Sequence, residues 1–516
     1  MFAYRRLALV VLLLFAGLAT PQAGKRPITL EDLWKVKRLG KPSISPDGKW
    51  VAVDVTSFNM DDDSSNTQIW LCSTDGKTQK QLTHHKASST GPLWSPDGKS
   101  IAFTSKRGDS TQLYVISPDG GEARQLSNMP MTPGGLKWGA DSKTIYCVAK
   151  IWPDMPDDES FKKKEKAQKD SKVQAYIIDD ALYRVWDHWI ADGKHPVVFA
   201  VDVEKGTHRN LFAGIKRTLP ASGGSAADYD VSPDGKEICF VSESAKELGM
   251  DFNSDLYVMP TDSSRERKRP EEQPKNITTD NPASDFAPAY SPDGKSIAFS
   301  RQTTKYFYAD RVRLTLHDRV TGKNREVTKL DRSCVAHQWN PESKELVFET
   351  EDRGYHRIRT LSLRNNELGT LVTGSGPQIS KAGAHVAFTR SSFDEPTSLW
   401  VLNNSLRQIE QFNDELRSQW DLGEVKEVTY KGADDEDVQM WIVYPPKFDK
   451  SKKWPCLMMI HGGPHNAITT DFHYRWNAHL FASKGYVVAI PNFHGSSGFG
   501  QKFTDSITGD MATKPF

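Results

Sequence analysis

Short apolar runs separated by polar turns repeat along most of the chain. Seven of them share one frame: Trp50-Val51-Ala52-Val53, Ile101-Ala102-Phe103, Ile145-Tyr146-Cys147, Ile238-Cys239-Phe240, Ile297-Ala298-Phe299, Leu346-Val347-Phe348 and Val386-Ala387-Phe388. Four follow the pentad Ser-Pro-Asp-Gly-Lys, beginning at Ser45, Ser95, Ser232 and Ser291. Three follow weaker copies, at Gly139–Lys143, Asn340–Lys344 and Ser380–Gly383. An aromatic residue precedes several turns, as at Trp94, Trp138, Tyr290 and Trp339. The runs are β-branched and aromatic, Pro presets φ, and Asp-Gly supplies the tight end, so each copy predicts a β-hairpin. A second strand follows in most repeats (Gln68–Leu71, Gln112–Val115, Asp255–Val258, Ser398–Val401), then a turn and a polar strand such as Gln81–Thr83. Spacings of about 40–60 residues are those of a four-stranded blade. The pattern predicts an all-β seven-bladed β-propeller over residues 24–415.

The interval from Ala140 to Ser232 is about twice the usual repeat and places an insertion at about 151–190. Its lysine run, Lys162–Lys166, reads as a solvated helix or loop. Its aromatic cluster, Tyr183–Trp189, reads as a blade strand carrying core aromatics. The alternative is a wall facing a substrate cavity, formed by Trp186, Asp187 and Trp189.

The rhythm changes near residue 416, where a second domain, 416–516, begins. Val425–Tyr430 and Val438–Tyr444 predict a hairpin around an acidic turn. Cys456–Ile460 is a continuous apolar run that predicts a strand buried on both faces. It leads into His461-Gly462-Gly463-Pro464. A helix is predicted next, with Phe472, Trp476, Leu480 and Phe481 on one face and Gly485 as its stop. Tyr486–Ile490 predicts another buried strand, ending in the glycine-rich segment Pro491–Gly500. Strand, glycine-rich loop, helix, strand is the opening of an α/β-hydrolase sheet, so the fold expected is a propeller followed by the N-terminal part of an α/β-hydrolase domain.

Composition narrows the function. Lys+Arg number 67 against Asp+Glu 66, a balance with no nucleic-acid footprint. Five Cys in 516 residues make no disulfide framework, and Cys147 and Cys239 sit in apolar strand patterns as small hydrophobes. Arg5-Arg6 followed by the apolar run Leu7–Ala19 reads as a signal peptide over 1–23, cleaved after Ala19 or Ala23. The run is shorter than the roughly 20 residues that cross a bilayer. Export to the periplasm or the exterior follows, without stable membrane insertion after cleavage. His461 and His465 do not read as a zinc pair, because Gly-Gly-Pro between them cannot form a helix. No metal or cofactor is called for.

A signal peptide, an Ser-Pro-Asp-Gly-Lys propeller and a strand running into His461-Gly462-Gly463-Pro464 resemble the prolyl oligopeptidase family of serine peptidases. Tyr474-Arg475-Trp476-Asn477, Gly485-Tyr486-Val487-Val488 and Gly495-Ser496-Ser497-Gly498-Phe499-Gly500 are similar to its dipeptidyl-peptidase V and acylaminoacyl-peptidase branch. The resemblance implies acyl-enzyme hydrolysis of short peptides, with the propeller capping the active site. It places an oxyanion donor at the Gly463 N–H, with His461, Gly462 and Pro464 supporting the loop. His461 is not read as the base, since in this fold the base follows the nucleophile and the acid. His494 stands where many relatives carry Arg, so an ion-pair role is not carried over to it.

No G-x-S-x-G occurs: Gly495-Ser496-Ser497-Gly498 fails because residue 499 is Phe. The resemblance puts the catalytic Ser, Asp and His beyond Phe516, and the expectation is a C-terminally truncated chain that is inactive alone. The alternative is a non-catalytic TolB-like propeller that binds peptides or proteins.

Overall fold

The computed structural model describes residues 24–515 except 154, 156, 174, 176–182, 186–187, 190–191, 222–223, 244–252, 263–272, 375–377, 384 and 404. The signal segment expected at 1–23, and Trp186 and Asp187, lie outside the described residues.

Seven antiparallel sheets follow one another along the chain, one per repeat. The first has five strands and the other six have four. The strand after each turn lies inside its sheet: Trp50–Asn59, Ile101–Ser105, Thr144–Ile151, Glu237–Glu243, Ser296–Arg301, Glu345–Asp352 and His385–Ser392. The Ser-Pro-Asp-Gly turns are closed by side chains as well as by backbone. The Ser45 hydroxyl donates to Asp47 Oδ1 at 2.6 Å and accepts from the Trp50 N–H at 2.9 Å. The same Ser–Asp bond of 2.6 Å recurs at Ser95, Ser232 and Ser291. The hydroxyl holds each of these carboxyls below its ordinary pKa.

Neighbouring sheets pack face to face through apolar clusters. Ile69 and Leu71 of the first meet Ile101, Phe103 and Tyr114 of the second. The first and last sheets meet in the same way, with Val51, Val53 and Cys72 against Ala387, Leu399 and Val401. The Ile44 N–H donates to Ser380 Oγ at 3.0 Å, and Arg407 Nη1 to the Asp75 carbonyl at 2.9 Å. The aromatics before the turns link adjacent sheets: Trp138 Nε1 donates to Leu93 O and Trp339 Nε1 to Ala289 O, each at 2.9 Å. Their strands carry bulges, with positive φ at Gly91, Gly135, Ala287 and Ala336.

The insertion lengthens one hairpin of the third sheet. Ile151 pairs with His195, so residues 152–194 leave the ladder between two partner strands. The lysine run lies on a helix, Asp158–Asp170, whose N-terminus is capped by Asp157 and whose Phe161 packs on Trp152. The aromatic cluster is not a blade strand. Arg184–Val185 and His188–Trp189 pair only with each other, outside the third sheet, because the ladder there is already occupied. Trp189 is 47% exposed and its ring lies tilted against Tyr183 at 5.8 Å.

The last sheet has the order Val425–Lys431, Asp437–Val443, Val487–Asn492, Cys456–Met458. Its final pair is parallel and the others antiparallel. Trp441, Val443, Val488 and Ile490 form its core with Ala478 and Ala482. Two expectations are corrected. Cys456–Met458 is an edge strand paired on one side, not a strand buried on both faces, so Met458 and Ile460 are 60% and 61% exposed. The helix spans only Ala478–Ala482. His473 Nδ1 accepts the Arg475 and Trp476 N–H groups in a turn before it, which buries Phe472 and leaves Trp476 half exposed. The helix Leu30–Lys35, with its Thr29 capping box, packs Ile28, Leu33 and Val36 against Trp420 and Phe472. The same helix also meets the first sheet, where Trp34 lies edge-on to Phe58 at 5.6 Å. No helix among the described residues is long and apolar enough to cross a membrane.

Candidate functional site

The loop after the edge strand is shaped by glycine. Gly463 has φ +141°, and a Cβ there would meet His465 N at 3.0 Å and Asn466 Cβ at 3.1 Å. A side chain is therefore excluded by both space and backbone conformation. Gly462 and Gly463 are exposed, and the Gly463 N–H has no acceptor among the described residues. The loop thus follows the strand with a backbone donor that no described acceptor takes.

Buried side chains hold this loop from behind. His461 Nε2 lies 3.0 Å from Ser496 Oγ, its Nδ1 lies 3.0 Å from the Gly462 carbonyl, and its ring stacks on Phe493 at 4.3 Å. A proton on Nδ1 donating to that carbonyl leaves Nε2 to accept from the Ser496 hydroxyl. Burial lowers the His461 pKa, so the ring is neutral near pH 7. Histidine accepting from serine has the polarity of a nucleophile–base pair, but Ser496 is fully buried and no carboxylate orients the ring. The pair is a strut. Asn492, also fully buried, adds a second one: it accepts from the Ile468 N–H at 2.7 Å and donates to Gln439 Oε1 and Ile468 O. Pro464 is half-buried beside these groups. His465 Nδ1 lies 3.1 Å from the Gly495 carbonyl.

The glycine-rich segment is equally constrained. Gly495 has φ +96°, and a Cβ would sit 2.2 Å from Ile507 Cδ1. His494 is buried on Phe503, with Nδ1 3.3 Å from Ser506 Oγ and 3.9 Å from Glu436. It fills space beneath the loop, away from the exposed donor.

The propeller side reaches this site through residues that the repeat pattern does not mark. Tyr308 OH donates to the Gly463 carbonyl at 3.4 Å, and the Phe307 and Tyr308 rings meet His465 edge-on at 5.5 Å. Ser497 Oγ donates to Glu351 Oε1 at 2.8 Å, and the Arg353 N–H to the Gly498 carbonyl at 2.9 Å. Burial raises the Glu351 pKa, partly offset by the Ser497 bond. Three aromatics in the polar stretch Lys305–Asp310 were the available sequence signal. Trp189 is not brought to these residues by any contact, and Trp186 and Asp187 fall outside the described residues. Among the described residues, no group of three or more His, Cys, Asp or Glu side chains is placed to hold a metal.

A TolB beta propeller domain model matches residues 35–155, and a prolyl oligopeptidase family model matches residues 472–516. The chain is 30% identical over 511 residues to dipeptidyl-peptidase 5 of Porphyromonas gingivalis, covering 95% of this chain and 72% of that protein. It superposes on the Pyrococcus horikoshii acylaminoacyl peptidase with TM-score 0.73 at 17% identity, covering 95% of this chain and 70% of that one. An acylaminoacyl peptidase in complex with Z-Gly-Gly-Phe-chloromethyl ketone gives TM-score 0.74 at 16% identity, covering 94% and 70%. At such identities the structural likeness speaks for the fold.

Proposed function

The chain belongs to the prolyl oligopeptidase family, and from that premise we propose that it carries the capping propeller and the oxyanion loop of a serine-type exopeptidase acting on short peptides. Residues 38–415 act as a seven-bladed propeller, and residues 26–37 join 416–516 in the hydrolase part. Export is part of the same proposal.

The observation that carries it is Gly463: an exposed N–H without an acceptor, at the end of a parallel strand, held by His461–Ser496 and Asn492–Ile468. In acyl transfer a serine oxygen attacks the scissile carbonyl, a histidine takes its proton, and the carbonyl oxygen becomes an oxyanion. The Gly463 N–H would donate to that oxygen, while Phe307 and Tyr308 cover the loop from the propeller side. The 516 residues contain no G-x-S-x-G, and Ser496 is closed off, so the chain by itself forms no acyl-enzyme. A binding propeller without chemistry is the second reading, favoured by the match of residues 35–155 to the TolB beta propeller domain.

The test is titration with a C-terminally blocked tripeptide phosphonate monoester, whose anionic tetrahedral group imitates the oxyanion. The proposal expects the Gly463 amide signal to shift on saturation in a 15N-glycine-labelled sample, and binding to weaken in Gly463→Ala. A bound phosphonate that leaves the Gly463 amide unmoved would contradict the proposal and favour the binding propeller.

A further inference from the structure

The propeller loop that reaches Gly463 holds its aromatics outward. Tyr306 and Tyr308 are 70% and 66% exposed, and Tyr306 has φ +61°, in the left-handed region that a bulky residue rarely adopts. Such a residue persists only where its surroundings over-determine it. Asp310, 4% exposed, accepts the Thr303 and Thr304 N–H groups at 2.6 and 2.9 Å and pairs with Arg313 at 3.0 Å. Gln302 Nε2 donates to the Tyr308 and Asp310 carbonyls at 3.0 and 2.8 Å. From the second domain, Gln501 donates to the Ala309 carbonyl at 3.2 Å and accepts from the Arg311 N–H at 2.7 Å. Residues 302–310 therefore form a fixed platform that keeps two phenol rings out of the core.

A cavity of about 340 Å³ opens beside this platform, between the ends of the fourth and fifth sheets. Tyr306, Phe307 and Tyr308 line it with Pro282 and Ala283. Its charged lining residue is Lys305, whose Nζ lies 4.7 Å over the Tyr306 ring. Tyr308 is a wall of the cavity and also meets the Gly463 carbonyl at 3.4 Å, so one side chain separates the two places. An extended peptide advances about 3.3–3.6 Å per residue. A peptide whose carbonyl oxygen meets the Gly463 N–H thus lays the side chain of a neighbouring residue at the cavity. Exposed aromatics grouped in one place mark a binding surface, and rings fixed beforehand bind without a further ordering cost. Aromatic side chains stack well on phenol rings, and Lys305 disfavours a cationic one. We propose that Tyr306 and Tyr308 form the subsite for an aromatic side chain of the peptide, on a residue next to the one whose carbonyl meets Gly463, and so set its sequence preference. That the ligand is a peptide placed in this way rests on the peptidase reading.

The experiment uses the full chain and blocked tripeptides in which a phosphonate monoester replaces the central carbonyl, with Phe, Ala, Glu or Lys at the first or the third residue. Calorimetry gives the affinities, and the 15N-glycine signal of Gly463 reports the loop. At one of the two positions Phe should bind about 10-fold or more tightly than Ala, the scale of burying an aromatic side chain. Tyr306→Gly suits φ +61° and so keeps the fold; it should abolish that preference, while Tyr308→Ala should weaken it and Tyr306→Phe should keep it. Gly463→Ala should weaken the Phe and Ala ligands alike and leave their ratio unchanged. Ligands that move the Gly463 amide yet bind equally with Phe and Ala would overturn the proposal and leave the oxyanion reading standing. A Phe preference that Tyr306→Gly removes while the Gly463 amide stays unmoved would support the aromatic subsite and contradict the oxyanion reading. A preference that survives Tyr306→Gly, tighter binding of Glu or Lys than of Phe, or no binding at all would also overturn the proposal.

Discussion

Replacing His356 by Gln should loosen the junction between the propeller and the hydrolase part, and in a pH-dependent way. His356 Nδ1 lies 2.5 Å from Glu349 Oε1, and its Nε2 lies 3.5 Å from Asp471 Oδ2. Asp471 also accepts from Ser391 Oγ at 3.0 Å and Thr469 Oγ1 at 2.6 Å. Burial alone would lower the imidazole pKa, but hydrogen bonds to Asp471 and Glu349 outweigh it and raise the value to about 10. The folded pKa therefore lies above the unfolded value near 6.5. The charged ring contributes its full stabilisation below pH 6.5, and that contribution is lost as pH rises through about 10. Linkage caps the contribution at about 5 kcal/mol, and removing one member of a buried ion pair typically costs about 3–5 kcal/mol. Urea unfolding followed by tryptophan fluorescence at pH 6, 8 and 10 measures it. His356→Gln should lower the midpoint most at pH 6 and least at pH 10. A stability difference between the two proteins that is independent of pH, or that grows as pH rises, would refute the reasoning.

Two further outcomes test other parts of the structure. His461→Ala removes the Ser496 partner and the Phe493 stack and should cost about 2–4 kcal/mol, read as faster hydrogen exchange in residues 461–468. Because burial lowers the His461 pKa, its contribution should be present above pH 6.5 and fade as pH falls through the folded value; a contribution unchanged between pH 7 and pH 5 counts against a neutral strut. Cys456 is exposed and the other four cysteines are buried, so a thiol reagent should modify one residue in the native chain and five after unfolding. Rapid native modification of Cys147, whose thiol burial raises to about 12, would contradict the packing of the third sheet.

Repeats were the most legible part of the sequence. Each apolar run after a turn became an inner strand, because Pro and Asp-Gly fix the turn locally and period-two patterning fixes the strand. What the sequence hid was non-local. The Ser45–Asp47 type of closure is local but involves side chains that pattern reading passes over. The alliance of Ile28 and Leu33 with Trp420 and Phe472 joins distant segments, and no spacing announces it. Apolarity misled at Cys456–Ile460: a strand's composition does not say which of its edges is paired. At Phe472–Phe481, helical spacing was offset by His473 capping a turn. In the candidate site the glycines were legible, because only Gly tolerates φ +141° at residue 463. Tyr308 and Glu351 were not, since they meet the loop only when the fifth and sixth sheets are brought against it.

The most direct test of the account is intact-mass analysis of the full chain after incubation with a fluorophosphonate, which forms a covalent bond with an activated serine. The account predicts no adduct, because the exposed part of the site offers the Gly463 donor and the one serine bonded to His461 is sealed inside. A stoichiometric adduct on any serine, Ser496 above all, would contradict it.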